Sequence, residues 1–283
     1  HLGMDNEKII KKITKNTKGV FLTHVQGFNG LTDYLIKYLK DKKIKLIEDV
    51  CESHGATHKN IKLGSLGWAS NFSFYYAHHM STIEGGMICT NDFKLYQMLR
   101  MLRAHGLVRE SDDSSLKEEY IKKYNDLNPE FIFAFPAYNV RNTEIGAIIG
   151  RNQLKSLDKN NQKRNFNNKI FLENINPRLY RTDFKIEGSS NYAFNLITKG
   201  SNPDFTNELM KKMTNSNIEF RRGSAGGGNQ LRQPYLRELY GSLYKNFKEI
   251  DHIHFNGFYI GNYPSLEKSK IIKLCDILNS VKT

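Results

Sequence analysis

The run Lys45-Leu-Ile-Glu-Asp-Val50 constrains the fold most: a short apolar stretch ending in two acids, just after a segment with helical spacing. In that segment Leu31, Tyr34, Leu35, Tyr38 and Leu39 lie three, four, seven and eight residues from the first, which puts them on one helical face. Residues 20–24 form a β-prone run before it. Strand, helix and strand in this order build a parallel sheet, because the helix carries the chain back across the sheet before the next strand begins. Residues 71–76 and 87–90 are further strand candidates, and residues 93–104 return to helical spacing. The first half is therefore expected to be α/β with a parallel-rich sheet, its functional side chains beyond the strand ends.

Residues 107–130 are polar, charged and aperiodic and are expected to form a long loop. A long helix is expected from near Thr143 past Leu157. Beyond it, residues 191–198, 218–220 and 257–260 look like strands, and 205–213 and 266–278 like helices, which makes a smaller α+β unit. The expected division is a large domain over 1–155 and a small one over 156–283. The chain opens at His1 and moves at once into helix and strand, with few strands for a parallel sheet, so the large domain is expected to be truncated.

With 283 residues, 39% apolar and 25% charged, the chain has the composition of a globular protein with a real core. No apolar run reaches the length of a membrane span and no signal-peptide pattern opens the chain, so a cytoplasmic protein without membrane contact is expected. Its formal charge of +13 raises the question of nucleic acid. The lysines are scattered through Lys/Asn/Ile-rich stretches and do not cluster with aromatics, which argues against it and leaves a solvated surface or the attraction of an anionic substrate. Cys51, Cys89 and Cys275 are odd in number and far apart, giving neither a disulfide framework nor a metal site. His252 and His254 alternate as on a strand, without a third ligand nearby, so no metal is expected there.

Three stretches carry the chemistry: Glu48-Asp-Val-Cys-Glu-Ser-His-Gly-Ala56, Phe72-Ser-Phe-Tyr-Tyr-Ala-His-His-Met-Ser-Thr-Ile-Glu-Gly-Gly-Met87 and Pro136-Ala-Tyr-Asn-Val-Arg-Asn-Thr-Glu-Ile-Gly146. Taken singly, an acid at a strand end can cap a helix or satisfy a loop, and paired histidines before a Gly-Gly turn can simply be packed. Together, in this order and spacing, they resemble the DegT/DnrJ/EryC1/StrS family of pyridoxal-phosphate (PLP)-dependent sugar aminotransferases and dehydratases, built on the aspartate-aminotransferase fold (fold type I). The segments 221–230 and 257–262 extend the resemblance over nearly the whole chain. Where the family carries its cofactor-binding lysine, this sequence has His78.

The resemblance implies a noncovalently held cofactor, with pyridoxamine phosphate (PMP) as the working form and glutamate as amine donor, because histidine cannot make the lysine's covalent link. It points to the dehydratase branch, which removes the C3 hydroxyl of a nucleotide-linked 4-keto-6-deoxyhexose, GDP-4-keto-6-deoxymannose above others. His78 would be the base. Asp49 would pair with the cofactor's ring nitrogen, Glu52 would lie near its phenolic oxygen, and Ser73 would hold its phosphate. Asn139 would reach the phosphate of a neighbouring subunit, which implies a homodimer. Arg221 and Asn229, on a basic glycine-bearing loop, are candidates for the nucleotide sugar, though such a loop can also be merely solvated. The alternatives are a sugar aminotransferase, for which Lys62 and Lys94 are out of register, and a noncatalytic truncated member. A relative that uses an iron–sulfur cluster is disfavoured, since no cysteine lies between Cys89 and Cys275.

Overall fold

The computed structural model describes residues 2–282. The chain opens with α1 (Asn6–Lys12), β1 (Gly19–Thr23), α2 (Asp33–Asp41) and β2 (Lys45–Asp49), then a hairpin of β3 (Thr57–His58) and β4 (Ile61–Lys62). There follow β5 (Ala69–Ser73), β6 (Gly86–Thr90), α3 (Phe93–Leu102), α4 (Ser114–Lys123), α5 (Glu144–Leu154) and α6 (Leu157–Asn174). The remainder is β7 (Ala193–Ile197), α7 (Pro203–Asn215), β8 (Phe220–Arg222), α8 (Pro234–Tyr240), α9 (Lys248–Asn256), β9 (Gly257–Gly261) and α10 (Lys268–Asn279).

Strands β1, β2, β5 and β6 form one sheet in that order; β1–β2 and β2–β5 are parallel, and β6 runs antiparallel to β5. Helix α2 supplies the expected crossover. Its start is set by Thr32, whose hydroxyl accepts the Leu35 N–H at 3.2 Å. Leu31, just before the helix, is buried with Leu35 and Leu39, and Tyr38 packs partly against them, while Tyr34 is 61% exposed. Those leucines, with Val20, Leu22, Leu46, Val50, Ala56 and Leu63, make one core. A second core lies between the antiparallel sheet β7–β9–β8 and helices α6, α7 and α10, and includes Phe171, Phe194, Leu196, Leu209, Phe258 and Leu278.

Three expectations are corrected. Residues 107–130 are not one loop: α4 lies within them, capped by Asp113, which accepts the Leu116 N–H. None of its residues is buried; only Leu116 and Tyr120, one turn apart, pack on Met101, Val108 and Ile132, too thin a stripe for apolar spacing to reveal. The long helix after Thr143 is two helices, α5 and α6, interrupted where Ser156 uses both its N–H and its hydroxyl on the Gln153 carbonyl (3.1 Å each). His252 and His254 lie on α9 rather than on a strand, so their side chains diverge. His252 Nε2 meets the Thr198 carbonyl at 2.7 Å, while His254 lies against the 227–229 turn. Among the described residues no group of three or more His, Cys, Asp or Glu is disposed to hold a metal ion, and no helix is long and apolar enough to cross a membrane.

Leu22, fully buried on β1, tests the first core. Leu22→Ala is expected to lower the unfolding free energy by about 2–5 kcal/mol in urea titrations followed by circular dichroism.

Candidate active site

Adjacent acids at the end of β2 point to opposite faces, as neighbours on a strand must. Glu48 is fully buried. Its carboxylate accepts the N–H groups of Gly64 (2.9 Å), Leu66 (2.9 Å) and Gly67 (2.6 Å). The His24 ring lies 3.2 Å away through Nε2. Because His24 Nδ1 accepts the Gly30 N–H, Nε2 carries the proton and donates to Glu48. Burial pushes this carboxyl up, but the His24 and backbone hydrogen bonds outweigh it, and the net shift is downward.

Asp49 faces the other way. It accepts from the Thr23 hydroxyl (3.3 Å), the Cys51 N–H (3.1 Å) and Asn71 Nδ2 (3.0 Å), so groups from both flanking strands orient it. Glu52, in the turn after β2, accepts the Gln26 N–H at 2.9 Å. Burial raises the Glu52 carboxyl and nearby Asp49 adds to this; the Gln26 N–H and Arg221 oppose it, and the net shift is upward.

Ser73 ends β5, and the chain then turns tightly, the His78 N–H donating to the Tyr75 carbonyl at 3.0 Å. This turn sets the His78 ring among His54 (6.1 Å between centroids), Tyr75 (5.7 Å) and Tyr192 (5.7 Å). Its Nδ1 is buried and has no hydrogen-bond partner among the described residues. Burial holds the His78 imidazole below its ordinary range, partly offset by the Asp49 charge. His54, 1% exposed, is pushed down to about 4, first by burial and then by the His78 charge. His79 is buried beneath, its Nε2 3.2 Å from the Ser190 carbonyl, and is held well below the usual imidazole range chiefly by burial.

Asp49 thus acts on both Glu52 and His78 beyond the carboxyl end of β2, and Ser73 ends the neighbouring β5, its hydroxyl accepting the Tyr75 N–H at 3.4 Å. Arg221 reaches toward them from β8: its Nη1 donates to the Tyr259 hydroxyl at 3.5 Å, and its charge acts on Glu52 and Tyr192. Asn229 does not join them. It is 3% exposed, and its side chain is committed to Asp251 (2.7 Å), the Tyr244 carbonyl (3.4 Å) and the Leu231 N–H (3.1 Å). Asn139 lies on the outer surface, bridged to Ala104 and accepting from Arg141 Nε at 3.2 Å. Sequence reading assigned no part to His54 or Tyr192. His54 lies within the Glu48–Ala56 stretch, where its imidazole is a signal the sequence does carry; Tyr192 lies more than a hundred residues beyond His78 and carries none.

A carboxylate ends β2, a hydroxyl ends the parallel neighbour β5, and the imidazole that follows has no partner on Nδ1. The chain belongs to the DegT/DnrJ/EryC1/StrS aminotransferase family. That family's model matches residues 1–279. The chain is 31% identical over 282 residues to the GDP-4-keto-6-deoxy-D-mannose 3-dehydratase of Yersinia pseudotuberculosis, covering 98% of this chain and 70% of that one. It is 30% identical over 264 residues to the Escherichia coli protein of the same name, covering 93% of this chain and 67% of the relative. The solved E. coli dehydratase with bound hydrated PLP superposes with a TM-score of 0.84 at 28% identity, covering 98% of this chain and 71% of that one. The residues present fit such a cofactor: Asp49 can hold a protonated ring nitrogen, Ser73 can donate to a phosphate, and His78 leaves no lysine to compete.

Because the Glu48 carboxyl is held below its unfolded value, its contribution to stability is complete above about pH 4.3 and is lost as pH falls through the lower folded value. Thermal unfolding between pH 7 and pH 3 is expected to show this acid-side loss, and Glu48→Gln is expected to be less stable at pH 7 and to lose part of the pH dependence.

Proposed function

We propose that this chain is a PLP/PMP-dependent nucleotide-sugar 3-dehydratase that acts on GDP-4-keto-6-deoxymannose with glutamate as amine donor, in deoxysugar and lipopolysaccharide biosynthesis. The observation that carries this reading is His78, an imidazole held neutral by burial where the family resemblance leads one to expect a lysine. A neutral imidazole near pH 7 can take up a proton, which an ordinary lysine, with a pKa of about 10.4, cannot.

Asp49, oriented by Thr23 and Asn71, would keep the ring nitrogen protonated. When bound, the cofactor supplies an amine for the C4 ketone and an electron sink that lets the C3 hydroxyl leave. Ser73 would hold the phosphate. Glu52, its carboxyl raised chiefly by burial, would lie near the phenolic oxygen. Arg221 would meet the diphosphate of the nucleotide sugar, where its charge is not spent on a carboxylate hydrogen bond. The scattered positive charge favours approach of such an anion.

The reading includes a homodimer in the cytoplasm, with a large domain over 1–155 and a small one over 156–283. Tyr138 (84% exposed), Val140 (68%) and Ile145 (72%) flank or follow Asn139 and supply an apolar surface for a second subunit, whose phosphate site Asn139 would serve.

The test is the absorbance of the purified protein with added PLP, before and after glutamate. Conversion of the bound aldehyde form to the amine form is expected; a protein that retains no cofactor would sink the reading. His78→Gln is expected to retain cofactor while lowering release of the 3-deoxy sugar about 10²–10⁴-fold.

A further inference from the structure

Tyr192 enters the site from the second half of the chain, and its backbone is fixed on three sides. Its N–H donates to the Gln26 carbonyl at 3.2 Å, and its carbonyl accepts from Arg164 of α6 at 3.5 Å. The preceding Asn191 carbonyl accepts from Asn262, just after β9, at 2.9 Å. Asn191 has a φ of 44°, a left-handed conformation that asparagine tolerates. Across from it Gly27 has a φ of 90°, and a Cβ there would come within 2.7 Å of the Asn191 nitrogen, so the two turns meet only with glycine at that position.

This backbone holds the Tyr192 ring 5.7 Å from His78 and 5.6 Å from His79 between centroids. His54 and Tyr75 close other sides of the His78 ring. We infer that Tyr192 is a positioning residue for His78: its ring seals one side of the imidazole from water and fixes the plane in which that imidazole meets a ligand.

The charged and titratable groups around this contact come from every neighbouring element. Asp49, at the end of β2, favours the imidazolium form of His78. His54 is neutral above about pH 4, and His79 and Tyr75 lie in the same segment as His78. Arg164 of α6 acts on His79, and Glu52, Arg221 and Tyr259 act on the Tyr192 hydroxyl. None of them replaces the ring itself as a barrier to water. Removing the ring admits water, favours the charged imidazole and raises its titration midpoint.

The consequence for turnover rests on the dehydratase reading; the sealing of His78 does not. The experiment is an NMR titration of the His78 Cε1–H signal, assigned by its loss in His78→Gln and recorded without cofactor or sugar. Tyr192→Leu is expected to move the midpoint upward by roughly 0.5 pH unit or more, toward the ordinary value of about 6.5. Tyr192→Phe, which keeps the ring, is expected to hold it within about 0.2 pH unit. An unchanged midpoint in Tyr192→Leu would overturn the inference. Should that variant not fold, Tyr192→Phe decides: a midpoint moved by more than about 0.5 pH unit assigns the effect to the hydroxyl and overturns it, and one held in place supports it. In folded variants, kcat for 3-deoxy sugar release is expected to fall several-fold in Tyr192→Leu, with its pH profile displaced in the same direction and KM for the sugar little changed. The expected NMR shift in Tyr192→Leu, together with a wild-type protein that turns over no sugar, would leave the positioning role standing and remove the dehydratase reading.

Discussion

The arrangement of the strand ends depends on one buried carboxylate. Glu48 has no contact with water, and an isolated charge there would cost several kcal/mol. Four donors offset that cost: three N–H groups of the 64–67 turn and the His24 ring, each charge-assisted bond contributing about 1.5–3 kcal/mol. The donors come from the turn that leads into the start of β5 and from the residue just after β1, so satisfying Glu48 ties both neighbouring strands to β2. Asp49, one residue on, then faces the opposite side with a defined orientation. Ser53 adds a second tie by donating its hydroxyl to the His24 carbonyl at 2.5 Å, which holds the turn carrying Glu52 and His54 against β1.

Such a scaffold explains why the first half was readable in the sequence and parts of the second were not. The order of strand and helix through α3 follows from apolar spacing, and the acids mark the end of β2. Both signals are local. The failures are local as well: α4 has almost no buried face, and α5 and α6 read as one helix because a serine that folds back on a carbonyl three residues earlier leaves no gap in the apolar pattern. At the site, Asp49, Glu52, Ser73 and His78 were legible because they lie within two short stretches whose spacing resembles a known family. Arg221 was suggested by its place in a basic, glycine-bearing stretch. Asn229 looked alike in sequence, a polar residue on a glycine-bearing loop, but its side chain is needed to hold that loop to Asp251. Sequence cannot separate a polar group free to bind from one already satisfied within the fold.

Burial governs the chemistry as much as residue identity does. His54, His78 and His79 lie within contact of one another, and all three imidazoles are shifted toward the neutral form. Packing three rings that could each be charged is tolerable only if most stay uncharged, because neighbouring like charges in a dry site repel strongly. Of the three, His78 is the least buried and the one with Asp49 as a favourable charge. His54 and His79, more deeply buried, act as an uncharged wall beside it.

That wall is completed from far along the chain. The segment 189–192 docks on the Gly27 turn through the Ser189 hydroxyl and the Ser190 and Tyr192 N–H groups, while Arg164 holds it from α6 and Asn262 from just after β9. Arg164 is 9% exposed, and its guanidinium bonds to carbonyls rather than to a carboxylate, so burial pulls its pKa down to about 10. A buried cation held this way is tolerated only while those carbonyls stay in place, which ties the backbone around Tyr192 to α6. The two cores therefore meet at a polar seam whose geometry also determines how dry His78 is.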